Sequence, residues 1–139
     1  MDIITVAAAI IVNDQGQALL ARKQGTRYFM QVGGKLEKDE QPRDGLLREI
    51  QEEIGVTAEI VKDLGLVKTM AANEAGTELY AYVFQVKLHD VPHASAELAE
   101  ICWVDPQQTQ DIPLAPLTRD FIFPWLRQNA DGFNDGRIR

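Results

Sequence analysis

At 139 residues, 45% of them hydrophobic and 25% charged, the chain has the length of one domain and the composition of an ordinary globular fold, able to bury a core without disulfide staples. Its 14 Lys and Arg against 21 Asp and Glu leave a formal charge of −7. That balance argues against sequence-blind binding to a nucleic acid polymer or to anionic lipid, and leaves open a small anionic substrate carried with metal.

Along the chain, Thr5 to Val12 is β-branched and alanine-rich and predicts a buried strand. The segment before it, MDIITVAAAIIV, has Asp2 where a signal peptide has basic residues, and its apolar run stops at Asn13-Asp14, too short to span a bilayer. The expectation is a cytoplasmic protein with no membrane association. Asn13 to Gln17 reads as a turn, and Ala18 to Arg22 as the hairpin partner of the first strand. Tyr28 to Val32 predicts a short strand, and Gly33 to Glu40 a glycine-led loop. Pro42 suits the first turn of a helix and Gly55 its C-terminal cap, so one helix lies between them.

Further on, Val56 to Val61 and Leu64 to Met70 read as two strands separated by Lys62-Asp63. Leu79 to Leu88 alternates, with Leu79, Ala81, Val83, Gln85 and Lys87 on one side and Tyr80, Tyr82, Phe84, Val86 and Leu88 on the other. A polar loop, HDVPHASAE, leads to a strand over Ile101 to Val104. That strand holds the chain's one cysteine, Cys102, which reads as a small buried hydrophobe, and a chain with no possible internal disulfide fits a reducing compartment. Thr118 to Arg127 predicts a C-terminal helix that Pro124 would kink or end. Strand-rich stretches alternating with two helices predict an α/β (α+β) sandwich, one domain over residues 1–127 followed by a loose polar tail over 128–139.

The helix carries the chemistry. Projected at about 100° per residue, Leu46, Leu47, Ile50 and Ile54 share a core face, while Glu49, Glu52 and Glu53 share another sector. Like charges at i,i+3 and i,i+4 repel, and glutamates in the last turns also oppose the helix dipole. A solvated acidic face is the plain reading of such a triplet. Against it, the preceding loop adds Glu37, Asp39 and Glu40, so charge converges from two segments, and Arg48 stands at i,i+4 from Glu52. Carboxylates grouped in this way suit Mg²⁺ or Mn²⁺, which favour oxygen ligands.

These residues have a longer pattern. Gly34, five residues, Glu40, seven residues, Arg48-Glu49-Ile50, one residue, Glu52-Glu53, one residue, Gly55-Val56 fills every fixed position of the Nudix box. From about Thr5 to Leu126 the chain resembles the MutT-like Nudix hydrolases, including the approach FMQVGGK and the strand AEICWV. It departs from many of them at Val32, where they have Pro before the two glycines.

The resemblance implies an α/β/α sandwich with a mixed central sheet and the box as loop–helix–loop. It implies a hydrolase of a diphosphate bond in a nucleoside diphosphate derivative, dependent on Mg²⁺ with Mn²⁺ as substitute, acting as monomer or homodimer. Carried over by position, Glu49, Glu52 and Glu53 are catalytic and metal-site glutamates, with Glu49 also a candidate base. The Gly33 carbonyl is a metal ligand, Arg48 and Glu40 orient helix and loop, and Gly34 and Gly55 support the motif. Lys35 faces the phosphates. Glu97, six residues before Trp103, matches the loop glutamate that completes the metal site in MutT-like relatives, with Glu100 the weaker candidate.

The substrate is less constrained. ADP-ribose members tend to carry Pro shortly after the box, and none occurs between Arg43 and Val91; dinucleoside-polyphosphate members tend to carry Tyr there, and none occurs between Phe29 and Leu79. Those absences favour a nucleoside triphosphate pyrophosphohydrolase. A nucleotide sugar is the alternative substrate, and a non-catalytic nucleotide-binding sensor the alternative function. Arg27, with Arg22 and Lys23, reads either as a solvated rim or as a phosphate contact. Tyr28 and Phe29 are candidates for a base pocket, with a core role for at least one as the alternative. The GGK run lacks P-loop spacing, and His89 and His93 have no second pair of zinc ligands nearby.

Overall fold

The structure, a computed structural model, describes residues 2–129. A four-stranded mixed sheet forms its centre. Strand β1 (Asp2–Ile10) runs antiparallel to β3 (Val32–Lys35) on one side and parallel to β5 (Thr77–Leu88) on the other, and β4 (Ala58–Met70) completes the order β3-β1-β5-β4. Strands β2 (Ala18–Lys23) and β6 (Leu98–Val104) pair antiparallel as a second, two-stranded sheet.

The period-2 alternation of the strands sorts the core into two layers. On one face of the central sheet Ala7, Ala9, Ile11, Phe84 and Val86 pack under Leu46, Ile50 and Ile54 of helix α1 (Pro42–Ile54). On the other, Ala8, Ile10, Ala81 and Val83 pack under Leu117, Ile122, Phe123 and Leu126 near the C-terminal end. The result is the α/β/α layering the sequence pattern calls for, and β5 divides its side chains between the layers as its alternation predicts.

Several elements differ from expectation, each for a local reason. Ala18–Lys23 does not return to β1 as a hairpin strand. An isolated bridge, Val12 to Ala18, and the Leu19 N–H donating to the Ile11 carbonyl close the turn, and the strand then pairs with β6. The strand expected over Tyr28 to Val32 starts only at Val32 and runs through the glycines, with Gly33 and Gly34 opposite Ala8 and Ala7. Val32, fully buried, opens that strand where Pro would lack a backbone donor. The two strands expected around Lys62-Asp63 are one strand, β4, with register shifts between Ile60 and Lys62 and between Asp63 and Gly65. Bulges on an edge strand bend it and blunt its capacity to recruit another edge.

The C-terminal helix divides into a π turn over Thr118–Ile122 and α2 (Phe123–Gln128). Pro124 has no N–H to give the preceding turn, and the chain meets this by widening there: the Phe123 N–H reaches back to the Thr118 carbonyl. Pro124 thereby occupies the first turn of α2, where a missing donor is tolerated. Gln128, expected to open the polar tail, is instead the last residue of α2, and the tail beyond Asn129 lies outside the described residues.

One buried polar bridge ties this C-terminal layer to the sheet. The Gln31 Nε2 donates to the Ala9 carbonyl at 2.9 Å, and Thr118 Oγ1 donates to Gln31 Oε1 at 3.0 Å. Thr118 is wholly buried, so removing its hydroxyl leaves an amide oxygen unpaired in the interior. Thr118→Val, nearly isosteric, should lower the unfolding free energy by about 1–3 kcal/mol. Urea denaturation measures this, and a variant as stable as the parent would mean that Gln31 finds another donor.

Candidate functional site

Helix α1 presents its glutamates at its C-terminal end, beside the glycines of β3. Pro42 stands in its first turn, and Gly55, left-handed at φ 70°, ends it with its N–H on the Gln51 carbonyl at 3.1 Å. Arg48, mid-helix, organises the acidic groups around it. Its Nε and Nη2 grip the two Glu40 oxygens at 2.8 and 2.9 Å, its Nη1 donates to Glu49 at 2.9 Å and to Glu52 at 3.4 Å, and Nη2 also reaches the Lys35 carbonyl at 3.3 Å. Planar guanidinium geometry suits such a two-pronged grip. Together with the Glu37 N–H, which donates to Glu40 at 2.9 Å, it holds the Glu40 carboxyl down at about 2. Gly45 lies against Leu36 and Glu40, so the loop closes tightly on the helix.

The three glutamates stand in three environments. Glu52 is 55% exposed at its side chain. Glu49 is 16% exposed, its carboxyl packed directly against Gly34, where a Cβ would come within 2.6–2.8 Å of it. Glu53, expected on a face apart from the core, is instead buried at 6% exposure. Its Oε1 accepts the Gly33 N–H at 3.1 Å. Gly33 itself has φ 149°, and a Cβ there would collide with the Ala7 carbonyl oxygen of β1. Burial pushes the Glu53 carboxyl up to about 7; the Gly33 N–H opposes that, and the Glu49 charge adds to it. Among the described residues, no three His, Cys, Asp or Glu side chains form a ready-made metal cage: Glu49 and Glu52 are drawn to Arg48. The donor set itself is all hard oxygen, and Gly34 leaves the space in which the Glu49 carboxylate lies.

The end of α1 is closed by a segment that the sequence alone did not connect to it. Ser95 donates its hydroxyl to the Glu52 carbonyl at 2.7 Å and its N–H to the Glu53 carbonyl at 2.9 Å, while the His93 N–H donates to the Ile54 carbonyl at 3.1 Å. Sequence spacing gives no hint of this, because the donors lie some forty residues downstream; a serine in a polar loop is the one weak signal. The same loop brings in Glu97. Its side chain is 78% exposed, 3.9 Å from the Lys23 Nζ, and near enough to Glu53 for its charge to raise that carboxyl further. Glu100 turns elsewhere, pairing with Arg22 at 3.0 Å.

Above Gly33, Gly34 and Glu53 opens a cleft of about 850 Å³, part of it open to solvent. Lys23 and Lys35 reach it, and Val6, Met30, Met70 and Leu117 give it apolar walls. It therefore joins an apolar recess to two cations and a buried carboxyl, a combination suited to a molecule with one flat apolar end and one anionic end. Arg27, Tyr28 and Phe29, expected as substrate contacts, do not line it. Arg27 lies over the Tyr28 ring at 5.6 Å, and Phe29 is fixed by backbone bonds with Pro113 and Ala115 and packs against the C-terminal layer. Phe29 thus takes the core alternative, and the recess is walled by residues whose role only the folded sheet makes visible.

Comparison with known proteins agrees with the fold. A family model described as NUDIX domain matches residues 2–126. The CTP pyrophosphohydrolase of Escherichia coli (strain K12) is 30% identical over 120 residues, 84% of this chain and 86% of that protein. A MutT-like protein of Streptomyces ambofaciens is 29% identical over 105 residues, 75% of this chain and 65% of that protein, so the match spans just under two thirds of that relative. Among solved structures, a MutT protein from Methanosarcina mazei Go1 superimposes with a TM-score of 0.77 at 26% identity, covering 93% of this chain and 96% of that one. No helix among the described residues is long and apolar enough to cross a membrane.

The buried carboxyl has a consequence for stability. With its folded pKa raised from 4.5 to about 7, Glu53 binds its proton more tightly in the folded protein than in the unfolded chain. The stability this contributes is present below about 4.5 and lost as pH rises through about 7. Glu53→Gln keeps an oxygen for the Gly33 N–H and carries no charge at any pH. In chelator, parental stability relative to this variant should therefore fall between about pH 5 and about pH 8. Paired thermal melts across that range measure it, and a constant difference would mean that Glu53 is already ionised at the acid end.

Proposed function

This chain belongs to the NUDIX domain family, and on that premise we propose that it hydrolyses nucleoside triphosphates to the monophosphate and pyrophosphate with Mg²⁺, for which Mn²⁺ can substitute. The observation that carries the reading is the Gly33-Gly34 strand, which bonds Glu53 and packs against the Glu49 carboxyl, beside a cleft that has apolar walls and is lined by Glu53, Lys23 and Lys35. Glu49, Glu52, Glu53, the Gly33 carbonyl and Glu97 would hold the cation. Bound there, it would neutralise phosphate oxygens and acidify a water for attack on phosphorus.

The chain's own residues supply the rest. Glu49, beside Gly34 and bonded to Arg48, would accept the proton of the attacking water, a role its low exposure and its place in the box support. Arg48 keeps that carboxylate and the Glu40 loop in one arrangement. Lys35, at the end of β3, meets the charge of the phosphate chain, and the recess between Val6, Met70 and Leu117 takes the base. The relative named CTP pyrophosphohydrolase supports a nucleoside triphosphate over a nucleotide sugar, and the absence of the Pro and Tyr noted after the box weighs against ADP-ribose and dinucleoside polyphosphates.

A panel of nucleoside triphosphates, nucleotide sugars and ADP-ribose with Mg²⁺, read as nucleoside monophosphate formed, by ion-exchange chromatography, tests this. A triphosphate should be the best substrate; a nucleotide sugar hydrolysed best would replace it, and tight binding with no hydrolysis of any member would make the protein a sensor. On the best substrate, Glu49→Gln should lower kcat by about 10²–10⁴ with a parental melting curve, as expected for loss of a general base. A variant retaining most of the parental kcat would remove Glu49 from the chemistry.

A further inference from the structure

Four backbone carbonyls at the end of α1 have no partner within the helix, and the last turn of α1 carries no basic residue. The negative end of the helix dipole therefore points at the same place as three glutamates, which makes these carbonyls expensive to leave bare. All four are met: Gln51 by the Gly55 N–H, Glu52 by the Ser95 hydroxyl, Glu53 by the Ser95 N–H, and Ile54 by the His93 N–H. The His93 ring also lies where a Cβ on Gly55 would be, so the segment sits flush on the helix end.

The same segment is anchored at its far side. Leu98, two residues beyond Glu97's upstream neighbour Ala96, is buried in the core under α1, its N–H donates to the Ser95 carbonyl at 3.1 Å, and the Glu97 carbonyl accepts the Gln24 N–H at 2.9 Å. Between the anchors Ala96 takes a left-handed backbone, φ 53°. A non-glycine residue holds that conformation only where its surroundings over-determine it. Glu97 is thus carried on a short turn whose start is bolted to the backbone of Glu52 and Glu53.

We infer that Ser95 is a positioning residue: its hydroxyl, through the Glu52 carbonyl, sets the Glu97 carboxylate against the glutamates of α1 and so joins the two parts of the cation site. This rests on the proposed role of Glu97 in holding the cation. The Ser95 N–H would survive a side-chain change, so the hydroxyl can be removed without freeing the loop.

Ser95→Ala should weaken Mn²⁺ binding, measured by calorimetry on the protein without nucleotide, by roughly three- to tenfold, the scale of one hydrogen bond. The Mg²⁺ concentration for half-maximal hydrolysis should rise by a similar factor and kcat should fall, while the KM for nucleotide at saturating Mg²⁺ stays near parental. Ser95→Thr, which keeps a hydroxyl, should restore Mn²⁺ binding. In a Glu97→Gln background, Ser95→Ala should have little further effect on Mn²⁺ binding. Parental Mn²⁺ affinity in Ser95→Ala, even with a lowered melting temperature, overturns the inference by reducing the hydroxyl to a helix cap. An equal loss with and without Glu97 overturns it too, since the hydroxyl would then act on α1 alone. Because the calorimetric arm needs no turnover, a parent that binds Mn²⁺ but hydrolyses no triphosphate would refute the proposed substrate and leave this test standing.

Discussion

Three carboxylates in the last two turns of α1 repel one another and oppose the helix dipole, and much of the surrounding structure answers that repulsion. Arg48 brings a cation to Glu49 and Glu52 while its other edge is locked on Glu40. The Gly33 N–H answers for Glu53, whose buried carboxyl is pushed up to about 7. The carbonyl end of the helix takes its hydrogen bonds from His93 and Ser95. Each device comes from a different segment, so the acidic end of one helix dictates where β3, the Glu40 loop and the loop before β6 must lie.

The glycines gain their meaning from the same constraint. For α1 to bring Glu53 against β3, that strand must press closely on both β1 and the helix. Gly33 permits the contact with the Ala7 carbonyl and Gly34 the contact with the Glu49 carboxyl. A side chain at Gly33 would drive β3 off β1, and one at Gly34 would push it off the helix. At close packing, interiors do not absorb such a change without loss. A strand of two consecutive glycines is weak by propensity, and here the tertiary contacts on both its faces override propensity.

That balance explains what could be read from the sequence and what could not. Helix α1 was readable to the residue because Pro42, Gly55 and the Leu46–Ile50–Ile54 stripe are local signals that agree. The alternation of β5 was readable for the same reason. The Gly33-Gly34 strand was not, since nothing local favours strand there, and the pairing of β2 with β6 was not, since the partners, such as Ala18 and Val104, lie far apart in the chain. Burial of Glu53 escaped a helical projection that treats a carboxylate as surface. Of the expected site, Arg48, Glu40, Glu49 and Glu53 come together, and Lys35 reaches the cleft. Arg27, Tyr28 and Phe29 were singled out because they are basic and aromatic, which are properties a rim or a core shares with a binding site.

The different environments of Glu49, Glu52 and Glu53 follow from spacing as well as from partners. Positions i, i+3 and i+4 share one side of a helix but spread over about 100° of it, and where the edge of that sector meets the sheet the three residues differ in burial. Glu53 turns inward beneath β3, Glu52 outward to solvent, and Glu49 lies between, against Gly34. Equal carboxylates placed unequally acquire separate chemistry: burial raises the pKa of Glu53, Arg48 clamps Glu49 at 2.9 Å, and Glu52 stays more exposed with a longer, 3.4 Å bond to the same guanidinium. Groups whose surroundings push their properties apart are those that can take separate roles in a reaction. The unequal burial also lets the folded chain tolerate the cluster without a cation, since at neutral pH the three groups need not all be charged and unpaired at once.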